Sequence, residues 1–343
     1  MKAVGYKQAG ATDNLKDIEQ STPVASGRDL LVRVQAVSVN PVDTKLRAGA
    51  SPAAGEYKVL GFDAVGVVHS VGADVALFKP GDAVWYAGAI DRPGTNSEFH
   101  LIDERIVGRK PASLSAADAA ALPLTAITAW ELLFDRLRVP RGAAGGTAAP
   151  ATLLVVGAAG GVGSILVQLA RQLTGLTVVG TASRPETRDW VMEMGAHHVI
   201  DHHHPMPAQI AQLALHATEP LPPVQYVIGL SQTDRHFDQL VEILAPQGKL
   251  ALIDDPGPFD ARLLKRKSLS LHWELMFTRS LYQTDDMQAQ HVLLNEVANL
   301  LDQGVLRTTA RQHLGAITAA NLATAHGLLE SSRTMGKVVL VGF

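Results

Sequence analysis

Residues Thr152 to Arg184 read TLLVVGAAGGVGSILVQLARQLTGLTVVGTASR. TLLVV is an apolar run of strand length, and glycines follow at 157, 160, 161 and 163. Ile165, Leu166, Leu169 and Leu173 recur at helical spacing before a second apolar run, LTVVGT. The pattern predicts a β-α-β unit with a glycine-rich first turn. Such a turn brings bare backbone N–H groups and the positive end of a helix up to an anion, which on a nucleotide is the pyrophosphate. Gly157 suits the tight turn, Gly160 leaves no Cβ between backbone and phosphate, and Gly163 lets the helix pack closely on the strand. Ala159, Gly161 and Val162 complete the cradle. A turn whose glycines serve packing alone is the weaker alternative, because the flanking strand and helix are both present.

The rest of the chain frames that unit. With 343 residues it exceeds one ordinary core and suits two domains. It is 47% hydrophobic and 18% charged, a globular composition, and its net charge of -3 gives no footprint for nucleic acid or an anionic membrane. There is no cysteine, so disulfides, thiolate chemistry and cysteine-held zinc are excluded. MKAVGYKQAG carries no apolar signal region, and the most apolar long segment, Leu153 to Ala170, is broken by glycines. A soluble cytoplasmic protein is expected.

Residues 1 to 110 read as β-rich, with runs such as LLVRVQAVSV (Leu30 to Val39) and VGVVHSVG (Val65 to Gly72) between Gly, Pro and Asp turns. Residues 112 to 138 take helical spacing in two helices broken near Pro123. RVPRGAAGGTAAPA, Arg138 to Ala151, reads as a mobile surface loop. After the opening unit come helices and strands in alternation: a helix from Arg184, a strand at His198 to Ile200, a helix near Met206 to Ala217, then strands at Val224 to Leu230 and Gly248 to Ile253 around a helix at Thr233 to Leu244. This rhythm predicts a parallel sheet covered on both faces. A strand at Leu269 to Trp273, two further helices and the strand GKVVLVGF close the chain.

With SVNPVDTKLRAG (Ser38 to Gly49), VLGFDAVGVV (Val59 to Val68), LPLTAITAWE (Leu122 to Glu131), the VGAAGGVGS turn and MGKVVL in this order, the chain resembles the medium-chain dehydrogenase/reductase superfamily, in its zinc-free quinone oxidoreductase branch. LHWELMFTRSL (Leu271 to Leu281) is similar to the subgroup often labelled zinc-type alcohol dehydrogenase-like. The resemblance implies an α/β protein in which a Rossmann-type doubly wound parallel sheet is inserted into a β-rich GroES-like catalytic domain. Residues 1–125 and 270–343 would form the catalytic part and 126–269 the NADP-binding part. It also places Asn40, Phe62 and Leu124 where zinc-dependent members carry their metal ligands, and two of these have no donor atom. No metal site is therefore expected. The cluster His197, His198, His202, His203 and His204 reads as a solvated turn.

An NAD-preferring unit ends its second strand in an acid; here the strand ends Ala182, Ser183, Arg184. Ser183 suits a phosphate hydrogen bond and Arg184 its charge, so NADP(H) is the expected cofactor. Ser183 as cap of a helix beginning at Arg184 is a compatible reading. Further cofactor contacts are expected at strand ends, Gly229, Leu230 and Ser231, then Ile253 and Asp254, and at Lys337. Without a Lewis acid, the easier reaction is hydride delivery to a quinone or an α,β-unsaturated carbonyl, helped by hydrogen-bond donors. Asn40, Tyr57 and Thr128 are the candidate catalytic residues, against readings as turn, packing and helix residues. Asp43 and Lys45 are a candidate supporting pair, and Asp63 is read as structural. Trp273 and Phe277 are candidates for a substrate wall or a subunit contact, and the Leu269 to Trp273 strand reads as a sheet edge across which a homodimer forms. Zinc-type alcohol dehydrogenase activity and an NADPH-binding sensor with little catalysis are the competing functions.

Overall fold

A computed structural model describes residues 1–142, 149–216 and 221–343. The chain divides into two compact units, Met1–Ile127 with Met276–Phe343, and Thr128–Leu275. The expected loop from Arg138 to Ala151 lies partly outside the described residues.

In the Thr128–Leu275 unit a parallel sheet of six described strands runs His198–Ile200, Thr177–Thr181, Thr152–Val156, Val224–Gly229, Lys249–Leu252, Ser270–Trp273 from edge to edge. In chain order this is 3-2-1-4-5-6, the doubly wound arrangement whose strand order reverses beside the first strand. All five residues of that strand are buried, which explains its unbroken apolar run: a strand covered on both faces has no polar side to alternate with. Helices Gly161–Leu173, Pro185–Glu193, Met206–His216 and Thr233–Ile243 make the connections. Leu154, Val179, Val227, Phe237, Leu240 and Leu250 pack together in its core. Ser270–Trp273, which the sequence assigned to the other part, pairs in parallel with Lys249–Leu252 and so belongs here.

The other unit is built on antiparallel pairing. The long strand Asp29–Ser38 lies beside Ala64–Val71, Phe99–Asp103 and the closing strand Lys337–Val341. The last pairing brings residues some 300 positions apart in sequence into register, Val339 opposite Ser38, and explains why the unit is discontinuous. Ala310–His313, a strand the sequence reading omitted, runs parallel to Lys337–Val341. Trp85, Tyr86, Phe62, Leu30 and Ile102 fill the core. Helices Ala116–Ala120 and Pro123–Trp130 break at Pro123, which takes a first-turn position where its missing N–H costs nothing. The run passes into the Thr128–Leu275 unit, where Glu131–Arg136 forms a π-helical turn that sequence periodicity does not reveal.

Candidate functional site

The glycine-rich turn follows the buried first strand. Gly157 has φ +83°, the left-handed region, and its N–H donates to Thr181 Oγ1 at 3.0 Å, tying the turn to the second strand. At Gly163 a Cβ would lie 2.5–2.6 Å from the backbone of Ala158, so close helix packing requires glycine. Gly160 differs: a Cβ there would meet only Gly157 O, at 3.6 Å, an ordinary contact. Packing among the described residues therefore leaves the space in front of Gly160 open, as close approach of a ligand needs. Gly160 caps the 13-residue helix whose first turn holds Gly161, Val162 and Gly163, and first-turn amides have no partner inside a helix. Ala159 precedes them in the turn. Ser164 anchors this helix end: its hydroxyl donates to Gly160 O at 2.7 Å and accepts from Trp190 Nε1 at 2.8 Å. The turn fits a dinucleotide pyrophosphate.

At the end of the second strand the helix begins at Pro185, one residue later than expected, and Arg184 rather than Ser183 occupies the cap position. Thr187 makes the cap bonds, accepting from Arg184 N at 3.2 Å and donating to Arg184 O at 2.8 Å, which leaves Ser183 outside the capping arrangement. Arg184 Nε lies 3.3 Å from Glu186 Oε1. Arg188, which the sequence reading passed over, donates to Ala182 O at 3.4 Å and Val199 O at 3.1 Å.

Of the other strand-end candidates, Gly229 is held by packing, since a Cβ would meet Leu252 Cδ2 and Thr233 Oγ1 at 2.8 Å. Leu230 N–H donates to Val156 O, Ile253 N–H donates to Gly229 O, and Ser231 Oγ lies 3.1 Å from where a Gly157 Cβ would stand. The carboxylate of Asp254 accepts from Thr233 N at 2.9 Å and Thr233 Oγ1 at 2.8 Å, so it is committed to the start of a helix. Thr128 is buried.

A second polar centre lies in the unit of Met1–Ile127 and Met276–Phe343, where Asn40 and Lys337 come together. Asp63, wholly buried, is its hub: its carboxylate accepts from Ser38 Oγ (2.7 Å), Asn40 Nδ2 (2.7 Å), Leu124 N (2.7 Å) and Lys337 Nζ (3.2 Å). Lys337 also donates to Val39 O at 3.0 Å and to Asn40 Oδ1. Both ends of the Asn40 amide are thus engaged. Burial pushes the Lys337 ammonium below its usual range, and the charge and hydrogen bond of Asp63 oppose that. Asp43 is turned inward, accepting from Asn40 N at 2.8 Å and Gly61 N at 2.9 Å; burial raises its carboxyl to about 7 against those bonds and the charge of Lys337. Tyr57 is 39% exposed, with Lys7 Nζ 4.6 Å from its ring centroid. Phe277 is buried edge-on against Phe62 at 5.3 Å, a core contact.

Zinc does not fit the positions that the resemblance assigns to its ligands: Phe62 and Leu124 offer no donor, and the Asn40 amide is spent on Asp63 and Lys337. Among the described residues no group of three or more His, Asp or Glu side chains is placed to hold a metal ion. In the histidine cluster, His197 is tied to Val178 N and Arg171, and His203 and His204 lie by Asp201. Among the described residues no helix is long and apolar enough to cross a membrane.

Comparison with known proteins agrees with this geometry. A zinc-binding dehydrogenase family model matches residues 194–340 and an alcohol dehydrogenase GroES-like domain model residues 26–112. A zinc-type alcohol dehydrogenase-like protein of Staphylococcus aureus is 37% identical over 99% of both chains. A quinone oxidoreductase of Pseudomonas aeruginosa is 29% identical, again over 99% of both. Among solved structures, a zinc-dependent alcohol dehydrogenase-type protein from Rhizobium etli has 54% identity and a TM-score of 0.93, covering 100% of this chain and 98% of that one. A mycobacterial protein solved with NADPH has 26% identity and a TM-score of 0.81, over 99% of both. The strand order, the glycine turn and full-length similarity to these proteins lead to one assignment: the chain belongs to the medium-chain dehydrogenase/reductase superfamily of oxidoreductases.

Proposed function

We propose that the protein is a metal-independent, NADPH-dependent reductase of quinones or α,β-unsaturated carbonyls. The observation that carries this reading is the end of the second strand, where Ser183 and Arg184 stand in place of an acid. An acid would accept the ribose hydroxyls and repel a 2′-phosphate; a hydroxyl and a guanidinium do the opposite. The names of relatives, a quinone oxidoreductase and a protein solved with NADPH, support the same reading.

When bound, a reduced nicotinamide supplies the hydride. The chain's residues then bind, orient and protonate. The amides of Gly161, Val162 and Gly163 hold the pyrophosphate at the helix N-terminus, with Gly157, Ala159 and Gly160 shaping the approach. Ser183 and Arg184 hold the 2′-phosphate, and Gly229, Leu230, Ser231 and Ile253 line the carboxyl ends of the strands. Thr128 orients the nicotinamide, whereas Asn40, buried with both ends of its amide held by Asp63 and Lys337, supports the fold around it and has no free group for the substrate. The Tyr57 hydroxyl or solvent gives a proton to the enolate or hydroquinone oxygen, balancing the hydride added at carbon or oxygen. The Asp63 cluster fixes the Asn40 amide. The unit Thr128–Leu275 handles the dinucleotide and the unit Met1–Ile127 with Met276–Phe343 the acceptor. The protein works in the cytoplasm as a homodimer paired through Ser270–Trp273, with no nucleic-acid or membrane partner.

Steady-state oxidation of NADPH and NADH with a panel of quinones and enones tests the reading. Turnover is expected with NADPH at unchanged rate in EDTA. Preference for NADH, or loss of activity on chelation, overturns it; tight NADPH binding without turnover of any acceptor favours a sensor.

A further inference from the structure

The histidine cluster divides by depth. His204 is exposed beside Asp201, as a solvated turn requires. His202, two residues past strand His198–Ile200, instead meets His236 from the first turn of helix Thr233–Ile243, with ring centroids 6.1 Å apart. His236 is only 9% exposed. The Nδ1 atom of each ring is shut away from solvent, and neither has a hydrogen-bond partner among the described residues. Buried polar atoms are normally paired, so two orphaned ring nitrogens side by side point to a group that would satisfy both. Burial lowers the pKa of both rings, and at neutral pH each is uncharged and keeps one lone pair. With the proton on Nε2, that lone pair lies on the enclosed Nδ1.

The surroundings hold both rings in place. Asp201, next to His202, donates through its N–H to Gln209 Oε1 at 2.9 Å and accepts through its carbonyl from Gln209 Nε2 at 2.7 Å. Asp254 fixes Thr233 at the start of the helix, and Gln239 Oε1 accepts from Met206 N at 2.8 Å, tying that helix back to the loop. Metal–nitrogen bonds of about 2.0–2.1 Å put two imidazoles that share an ion about 5–6.5 Å apart between ring centres. The observed separation falls in that range. The carboxylates of Asp201 and Asp234 act on the two rings in the sense that favours a cation, and Arg235 opposes them.

We propose that His202 and His236 form a site for a divalent transition-metal ion of the zinc and nickel class. Imidazole suits these ions, whereas magnesium takes oxygen ligands. Two fixed donors are fewer than a closed structural shell contains, so the ion is exchangeable, its other positions open to water and to exposed His203, whose ring centroid lies 4.7 Å from that of His202. Both donors belong to the Thr128–Leu275 unit, whereas the positions at which zinc-dependent members carry ligands, Asn40, Phe62 and Leu124, belong to the other. The ion braces the loop after the third strand against the helix after the fourth and takes no part in the reduction proposed above.

Calorimetric titration of the intact protein, freed of metal with EDTA and dialysed, uses zinc and nickel ions as probes and magnesium as the control. One equivalent of zinc or nickel is expected to bind and to raise the melting temperature, and magnesium to do neither. Removing one of two fixed donors corresponds to a loss of about tenfold or more in affinity. His202→Gln and His236→Gln should each show that loss, while His204→Gln keeps the wild-type affinity. Far-ultraviolet spectra check the fold, and His202→Gln, at the less buried position, carries the test if His236→Gln does not fold. A wild type that binds neither zinc nor nickel, or binds magnesium equally well, overturns the proposal. Binding that survives His202→Gln unchanged, or that His204→Gln abolishes, also overturns it, because the exposed turn then holds an adventitious ion only.

Discussion

At the scale of single residues, buried ionisable groups set how this protein responds to pH and mutation. His100 lies 2.9 Å from Pro93 O through Nε2 and 3.2 Å from the Tyr86 hydroxyl through Nδ1, an arrangement that suits the neutral ring with Nε2 donating and Nδ1 accepting. Burial lowers its pKa from 6.5 to about 4. Between those values the unfolded chain binds a proton that the folded chain refuses, so stability present above pH 6.5 is lost as pH falls toward 4, by up to about 3 kcal/mol. His326, also lowered to about 4 by burial and by the charge of Arg47, acts in the same window. His100→Gln keeps a donor and an acceptor but cannot titrate; its melting temperature is expected to fall less steeply from pH 6.5 to 4 than that of the wild type, and parallel curves would refute this. Asp43 works the other way: its raised pKa means that the stability present below about pH 4 is lost as pH rises through 7. Lys337→Met would leave Asp63 buried without its cation, at a cost of about 3–5 kcal/mol, measurable by denaturant unfolding. Adding Asp63→Asn should recover part of that loss. None of this cluster was legible as a unit in the sequence. Its members sit at 38, 40, 43, 63, 124 and 337, and only the folding of the closing strand against Asp29–Ser38 brings the last of them to the others.

At the scale of the element, the glycine turn separates what packing demands from what a ligand demands. Gly163→Ala would set a methyl against the Ala158 backbone at 2.5–2.6 Å, so loss of stability is expected along with loss of cofactor binding. Gly160→Ala meets only an ordinary contact and a non-left-handed φ of -74°, so its melting temperature should stay within about a degree or two of the wild type. Its NADPH affinity should nonetheless fall by about tenfold or more if backbone and pyrophosphate approach here as proposed. Calorimetric titration beside thermal unfolding distinguishes the two variants; unchanged affinity in Gly160→Ala would remove the pyrophosphate from this turn. The turn was legible because strand and helix periods change on either side of it. The helix boundary at Pro185 was not, because the side chain that caps it is Thr187, three residues after the cap position Arg184. Arg188 escaped for a related reason: a lone arginine on a helix gives no sign in sequence that its guanidinium reaches back to two strand ends.

At the scale of the whole molecule, both edges of the parallel sheet end on strands with one side unpaired among the described residues, and the proteins that carry such edges must cover or blunt them. The outer edge Ser270–Trp273 carries no proline and no lysine to prevent pairing, and Trp273 and Leu275 are 52% and 51% exposed. Large apolar groups beside an open strand suit a second copy of the same chain, since a two-fold axis lets two identical edges complete each other's ladder. Sedimentation of the wild type is expected to give twice the 36.4 kDa chain mass at micromolar concentration. The double variant Trp273→Lys, Leu275→Lys places like charges on both sides of that axis and should sediment as a folded monomer with an unchanged far-ultraviolet spectrum. A wild type that sediments at the mass of one chain would leave this edge without its partner, and a charged double variant that remains dimeric would move the interface elsewhere on the molecule.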